Sequence, residues 1–502
     1  MEINKLIENL IFYAKKNLDL GLEDSVYARN QLLELFQVEP SEEKGENVSN
    51  FQEEILNPLV EYALENGLTE EGTDVRFETK IMGLVTPSNG LVVKNFLSYY
   101  EDEGVETATA YLYRISVNSN YIRLCDIKKN ICWYAEGDKG DIGITINLSK
   151  PEKDAKQVLF EKNFKGKKYP KCMLCLENLG FCGTVSHPAR QTLRAIPITL
   201  CGEKWHVQYS PYVYYDEHCI AFSDEHRPMS ITDKTFVRLV DFVDAFPNYF
   251  LGSNADLPIV GGSILSHEHY QGGKKVLPMF SRPQRKIFYN SGTASIGIKD
   301  WYNSVVTIKG TDKQEVISLS CKVLEFWREY SDDKVGILSH TGEERHNTVT
   351  PIASMKDDIY CIDIILRNNR TDEKHPFGIY HPTEDMHNIK KEGIGLIEAM
   401  GLFILPGRLK GEISKVIDIL GQKQIDFQSV NADETLNKHI GLIAQISATK
   451  GLAIDKKQAL DAVIDYINQT CVKILECTAV FKNTKEGQTA FEKFIKALLK
   501  TI

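Results

Sequence analysis

At 502 residues the chain is longer than one hydrophobic core usually supports, so it reads as two or three packed units. Hydrophobic residues at 42%, charged residues at 25%, and 22 Phe, 22 Tyr and 4 Trp exclude a disordered or fibrous polymer. The formal charge of −10, from 59 basic and 69 acidic residues, argues against a nucleic-acid partner held by a general positive field, so any phosphate site must be built locally.

No apolar run reaches the roughly 20 residues of a membrane helix. Glu2, Lys5 and Glu8 also interrupt the start where a signal peptide would carry its apolar stretch, so a cytoplasmic protein with no membrane partner is expected. Eleven cysteines, an odd number scattered over a large chain, predict thiols that are mostly reduced, many of them simply buried, rather than a disulfide framework.

In chain order, Ile3, Leu6, Ile7, Leu10 and Ala14 recur at helical steps, and a second such stretch runs from Val26 to Phe36. Pro40 and the polar run Ser41 to Asn47 form a connector before another helical run near Phe51 to Leu64. From about Tyr111 the texture turns to sheet. Ile142, Ile144, Ile146 and Leu148 alternate with Gly143, Thr145 and Asn147; Tyr209 to Phe222 is rich in Tyr, Val and Ile; and Ile359 to Leu366 is a further strand ended by Arg367-Asn368-Asn369-Arg370. After about Gln422 helix returns, clearest in the stripe Leu460, Val463, Ile464, Ile467, Cys471, Ile474 and Leu475. The fold class expected is α+β, with a helical N-terminal extension and a helical C-terminal tail.

The chemically informative segment runs from Asn254 to Gly273. If Ser266 to Gln271 is a strand, His267, His269 and Gln271 share one face, while Glu268 and Tyr270 take the other. Gly261-Gly262 before it and Gly272-Gly273 after it let backbone approach a ligand closely. A neutral imidazole nitrogen can attack phosphorus without first losing a proton, and it leaves again in the reverse step. A glutamine amide can hydrogen-bond phosphoryl oxygens but cannot supply a proton to drive hydrolysis. Spacing alone leaves packing or fortuitous surface histidines as the alternative.

The run Gly261 to Gly273, with His187-Pro-Ala-Arg-Gln-Thr-Leu-Arg194 and Gly378-Ile-Tyr-His-Pro382, resembles the galactose-1-phosphate uridylyltransferases over nearly the whole chain. The likeness is to the second, Gram-positive type, also called UDP-glucose–hexose-1-phosphate uridylyltransferase, a member of the histidine-triad superfamily. It implies histidine-triad-like antiparallel sheet halves. The units expected are a helical extension over 1–105, a first half with the nucleophile strand over 106–275, a second half on the hexose-phosphate side over 276–425, and a helical segment over 426–502. It also implies that His269 is the nucleophile that becomes uridylylated, that Gln271 steadies the phosphoryl oxygens, and that His267 completes the motif. The better-studied type has proline after each histidine; Glu268 and Tyr270 stand there in this chain.

Cys172-Met-Leu-Cys175 has a spacing that chance produces roughly 0.2 times in such a chain, and buried thiols or a redox pair remain alternatives. The resemblance implies instead a structural zinc held by Cys172, Cys175, His226 of the Ser223-Asp-Glu-His226 segment, and His267. A second metal site of the better-studied type is not expected, because the late strand Ile362 to Arg367 lacks histidine, leaving His346 as its remnant. Arg190 and Arg194 would share a helix face and clamp a diphosphate, or equally form a solvated face. The resemblance extends substrate contacts to these arginines, to Asn254, Gly261, Gly262 and Ser263, and to Lys390 and Lys391 on the hexose phosphate. It implies UDP-glucose, UDP-galactose and hexose 1-phosphates as partners, no organic cofactor, and a homodimer. The rival readings are a histidine-triad nucleotide hydrolase and a non-catalytic zinc-stabilised UDP-sugar-binding protein.

Overall fold

A computed structural model describes residues 3–149, 169–184, 186–262 and 264–502. Cα packing divides the chain into two units, Met1–Lys129 with Lys153–Val213 and Glu217–His226, and Asn130–Glu152 with Tyr214–Asp216 and Arg227–Ile502. Among the described residues no helix is long and apolar enough to cross a membrane.

The first unit begins as the helical periodicity requires. In the helix Ile3–Asn17 the stripe Leu6, Ile7, Leu10 and Ala14 is buried, and helices follow at Leu22–Phe36, Asn57–Glu65, Asp74–Val85 and Asn89–Asp102. The turn to sheet comes later than expected: Tyr111 lies inside the helix Val105–Asn118. Tyr111, Leu112 and Ile115 sit at helical steps and are all buried, so their β-favouring side chains are overridden by the face they bury. The same unit contains the antiparallel strands Ile196–Leu200, Glu203–Tyr209 and Cys219–Ser223; the Tyr-rich stretch Tyr209 to Phe222 is thus two strands separated by a loop.

The second unit is built on seven antiparallel strands. Their spatial order is His269–Lys274, Tyr249–Gly252, Asn347–Lys356, Ile359–Asn368, Val305–Gly310, Ala294–Lys299 and Gln284–Asn290. The ten-residue strands Asn347–Lys356 and Ile359–Asn368 pair along their whole length. The helices Asp233–Ala245 and Lys313–Glu329 pack against Asn347–Lys356. A second sheet pairs Ile131–Ala135 with Ile142–Asn147, and Leu402–Pro406 lies parallel to the latter. Helices Leu409–Leu420, Ile440–Lys450 and Lys456–Thr478 contribute Val416, Ile443, Ile467, Cys471 and Ile474 to a core that also contains Ile144, Trp301, Ile365 and Phe403. Leu460, placed on that stripe from sequence, is exposed one turn before it closes. The observed architecture is therefore the α+β class expected, helical at both ends around a large antiparallel sheet.

Register decides which side chains share a surface, because in-register partners on adjacent strands point the same way. Gln271 is opposite Gly252, Gly252 opposite Ile352, Ile352 opposite Asp363, and Asp363 opposite Thr307. A cation is buried on this face: Lys299 Nζ lies 2.8 Å from Asp363 Oδ2, and Thr307 Oγ1 donates to Asp363 Oδ1 at 2.5 Å. Both members are nearly inaccessible, with side-chain exposures of 3% and 2%. Removing one partner leaves the other charged and desolvated, so Asp363→Ala is expected to destabilise the protein by about 3–5 kcal/mol. A urea midpoint shifted by less than 1 kcal/mol equivalent would show that the pair is hydrated.

Candidate active site and metal centre

The strand carrying the His-x-His-x-Gln motif begins at His269 rather than Ser266, running His269–Lys274, with His267 in the bend before it. A period of two reports faces, not ends; the paired backbone on Tyr249–Gly252 reaches only from Lys274 to Gln271. His269 and Gln271 keep the common face that alternation predicts, and Tyr270 takes the other.

His269 is buried, and its Nδ1 lies 2.8 Å from the carbonyl oxygen of His267. A carbonyl can only accept, so Nδ1 carries the hydrogen and Nε2 keeps its lone pair. Burial lowers the His269 pKa to about 4, with the neighbouring His267 adding in the same direction and the backbone hydrogen bond opposing. The ring is neutral at pH 7 and its free lone pair is on Nε2. This is the protonation state a nucleophile on phosphorus needs.

The reverse face of the motif is tied down by charge. Glu268, 3% exposed, receives Arg227 Nε at 2.6 Å on Oε2 and Arg238 Nη1 at 2.7 Å on Oε1. Tyr270, also buried, places its hydroxyl 3.3 Å from Glu268 Oε1 and 3.2 Å from Arg238 Nη1. The Glu268 amide donates to the Arg227 carbonyl at 2.7 Å, a bond that proline at this position could not make. The two residues that depart from the better-studied type thus anchor the strand in this chain.

Asn254 lies on the loop leaving Tyr249–Gly252, 4% exposed, with Oδ1 accepting the Leu396 amide at 2.8 Å. A Cβ on Gly262 would meet Asn254 Nδ2 at 2.6 Å, and one on Gly261 would meet the carbonyls of Ala255 and Leu257 at 2.7 Å each. Both glycines are therefore required by the loop's close folding on itself. Asp256 fastens the same loop, accepting from Thr348 Oγ1 at 2.5 Å and from the Ile231 amide at 3.1 Å. Ser263 lies outside the described residues.

Several expected phosphate ligands are otherwise engaged. Arg190 and Arg194 are not on a helix, so the shared face proposed for them is absent. Arg194 is buried and donates to the carbonyls of Pro87, Gln191, Leu193 and Thr86. Arg190 stacks on Tyr121, its guanidinium 5.7 Å from the ring centre. Lys390 is buried and donates to Glu398 Oε1 at 3.0 Å and to the Ile404 carbonyl at 2.9 Å, whereas Lys391 is exposed. His346 is hydrogen-bonded by both ring nitrogens, to Asn369 and Thr341.

In the first unit, Cys172 and Cys175 lie with sulfurs 3.5 Å apart, and His226 Nδ1 is 3.1 Å from Cys175 Sγ. They belong to a group of Cys and His donors whose ligand atoms are within 4.8 Å of one another. Two thiolates at the usual ~2.3 Å from one tetrahedral ion lie roughly 3.8 Å apart, so the donor type and spacing fit zinc. Asn178, which sequence reasoning left without a role, shapes the knuckle: Nδ2 donates to the carbonyls of Cys172 and Cys175 at 2.9 and 2.7 Å. Its Oδ1 lies 2.6 Å from His187 Nε2, giving the His187 segment a supporting part beside the cysteines. Its place three residues after Cys175 was the available signal.

The model of the galactose-1-phosphate uridyl transferase N-terminal domain matches residues 20–228, and that of the C-terminal domain matches residues 242–427. The galactose-1-phosphate uridylyltransferase of Fusobacterium nucleatum is 45% identical, with 99% of each chain covered. The chain belongs to the galactose-1-phosphate uridylyltransferase family. Proteins of the same name from Caldanaerobacter subterraneus and Bacillus subtilis are 43% and 41% identical, covering 98% and 99% of this chain and 97% and 98% of theirs. Among solved structures, yeast Ap4A phosphorylase is similar at 10% identity and a TM-score of 0.32, over 64% of this chain and 88% of that one.

The charge anchor behind the motif is directly testable. Glu268→Ala strands two arginines, one of them buried, and is expected to cost about 3–5 kcal/mol of stability. Glu268→Gln, which keeps the shape and some hydrogen bonds, should cost less; equal unfolding midpoints for wild type and both variants would refute the anchoring role.

Proposed function

We propose that this chain transfers a uridylyl group between hexose 1-phosphates, converting UDP-glucose and galactose 1-phosphate to glucose 1-phosphate and UDP-galactose through a uridylyl-histidine on His269. The observation that carries the reading is the Nδ1 bond of buried His269 to the His267 carbonyl, which leaves Nε2 as the free lone pair. Membership of a family whose relatives bear the name of this activity supports the choice of substrates.

Nε2 attacks the α-phosphorus of UDP-glucose, the bond from that phosphorus to the bridging oxygen breaks, and glucose 1-phosphate leaves with the electron pair. The first half-reaction thereby forms an N–P bond and releases a phosphate that needs no proton to depart at neutral pH. Galactose 1-phosphate then attacks the same phosphorus, and the imidazole leaves neutral. One phosphoanhydride replaces another, so the overall exchange is near balance. Gln271, on the same face of the strand, donates its amide to the non-bridging oxygens, where charge grows in the transition state. It carries no proton that could turn water into the preferred acceptor.

Cys172, Cys175 and His226 would hold a structural zinc. The ion would fix the knuckle these residues form and would take no part in the transfer.

Two measurements check this. On mixing with UDP-glucose alone, intact-protein mass spectrometry should show one added uridylyl group, removed again by galactose 1-phosphate and never gained by His269→Ala. Release of UMP without an adduct would replace the transferase with a hydrolase, and binding of UDP-glucose with neither product would leave a binding protein. For the metal, elemental analysis should find one zinc per purified wild-type chain and a small fraction of that in Cys175→Ser, with a lower melting temperature; equal zinc in both would remove the cysteines from the site.

A further inference from the structure

The face of the second unit's sheet that carries His269 and Gln271 also carries two buried polar atoms without partners. Arg367 is 2% exposed, and its Nη2 donates to the carbonyls of Val260 at 3.4 Å and Ile394 at 2.5 Å. Its Nη1 has no hydrogen-bond partner among the described residues. Thr350, 1% exposed, has an equally unpartnered hydroxyl. Arg367 is opposite Thr348 and Thr350 opposite Ile365, so Arg367 and Thr350 are diagonal neighbours, within reach of one ligand. Arg367 is two same-face steps along its strand from Asp363, and Thr350 is one from Ile352, both of which stand in the row of Gln271.

Charge is unbalanced here. Among the described residues Arg367 makes no ion pair; the carboxylate that acts on it through space is Glu398, already hydrogen-bonded to buried Lys390. Both buried cations are drawn to Glu398, which is itself only part-buried, and burial pulls the guanidinium down to about 10 against the opposing pull of that carboxylate. An uncompensated buried charge and an unmade buried hydrogen bond each carry a cost that a matching anion would remove. The Arg367 Nη2 bonds bring two loops over the site, one ending in Gly261-Gly262 and the other reaching Gly395, whose Cβ would meet Asn254 Oδ1 at 3.0 Å.

We propose that Arg367 and Thr350 receive the phosphate of the hexose 1-phosphate, which in the UDP-hexose is the β-phosphate. Strands are spaced ~4.8 Å apart, which places Thr350 roughly 10 Å and Arg367 roughly 14 Å across the sheet from the strand of His269. That spacing leaves room for a diphosphate between them, with the α-phosphorus at Nε2 and the adjoining phosphate toward Thr350 and Arg367. The anion's identity rests on the transferase reading; the site itself rests on Arg367 and Thr350.

The test uses the full chain and three probes, inorganic phosphate, glucose 1-phosphate and UMP, with Kd from calorimetry and melting shifts alongside. In Arg367→Gln the Kd for glucose 1-phosphate should rise at least tenfold, and in Thr350→Val at least threefold, while the Kd for UMP changes less than twofold in both. Arg367→Lys, which keeps the charge and loses the fork, should fall between. Where Arg367→Gln melts more than a few degrees below wild type, Thr350→Val decides, because removing an unpartnered hydroxyl does not threaten the fold. Unchanged glucose 1-phosphate affinity in the deciding variant, or an equal loss for UMP, overturns the proposal and leaves Arg367 as a tie between loops. Phosphate protection that depends on Arg367 in a protein that forms no His269 adduct would keep the anion site and reject the transferase.

Discussion

The site depends above all on the antiparallel register that carries one row of side chains from Gln271 through Gly252 and Ile352 to Asp363. A slip of one residue anywhere in that row would turn His269 to the opposite face. Two things hold the register. The ten-residue pairing of Asn347–Lys356 with Ile359–Asn368 gives a long ladder in the middle, and Gly252 lets Leu396 and Ile352 close over the narrow strand beside the motif; a Cβ there would meet Leu396 Cδ1 at 2.4 Å.

Buried charge is the second organising constraint, and its partners differ from group to group. Behind the motif strand Glu268 is enclosed by Arg227 and Arg238, and the deep Lys299 meets Asp363, so those groups hold structure. At Arg367 the sheet carries a guanidinium with a free Nη1 and no carboxylate of its own. Arg194 spends its guanidinium on four carbonyls, whereas Arg367 keeps a buried Nη1 unfilled among the described residues, and that is the place proposed for the anion.

The family relationship and the geometry answer different questions. Near-complete coverage at 40–45% identity names the chemistry. The geometry supplies how this chain arranges it: a tautomer set by the backbone of His267, an acidic residue and a tyrosine where the other type has proline, and a cysteine knuckle shaped by Asn178.

What sequence alone determined is local. Two-residue alternation put His269 and Gln271 on one face, three- and four-residue steps marked the first helix and the Val463 to Leu475 stripe, and the Cys172/Cys175 spacing marked a knuckle, because each is a property of a single element's period. Where periods competed with residue preference the reading failed, as at Tyr111, whose aromatic side chain suits a strand but lies on a helix. Only the tertiary structure decided the partners of the charged groups. Arg194 and Lys390 read as phosphate ligands until their donors were seen filled by carbonyls and Glu398, and Arg367 read as the end of a strand until its Nη1 was seen empty. The physical reason is that a guanidinium or ammonium is satisfied by whatever lies within about 3 Å of it, and in this chain those neighbours range from Leu193, next to Arg194, to Pro87, 107 residues before it.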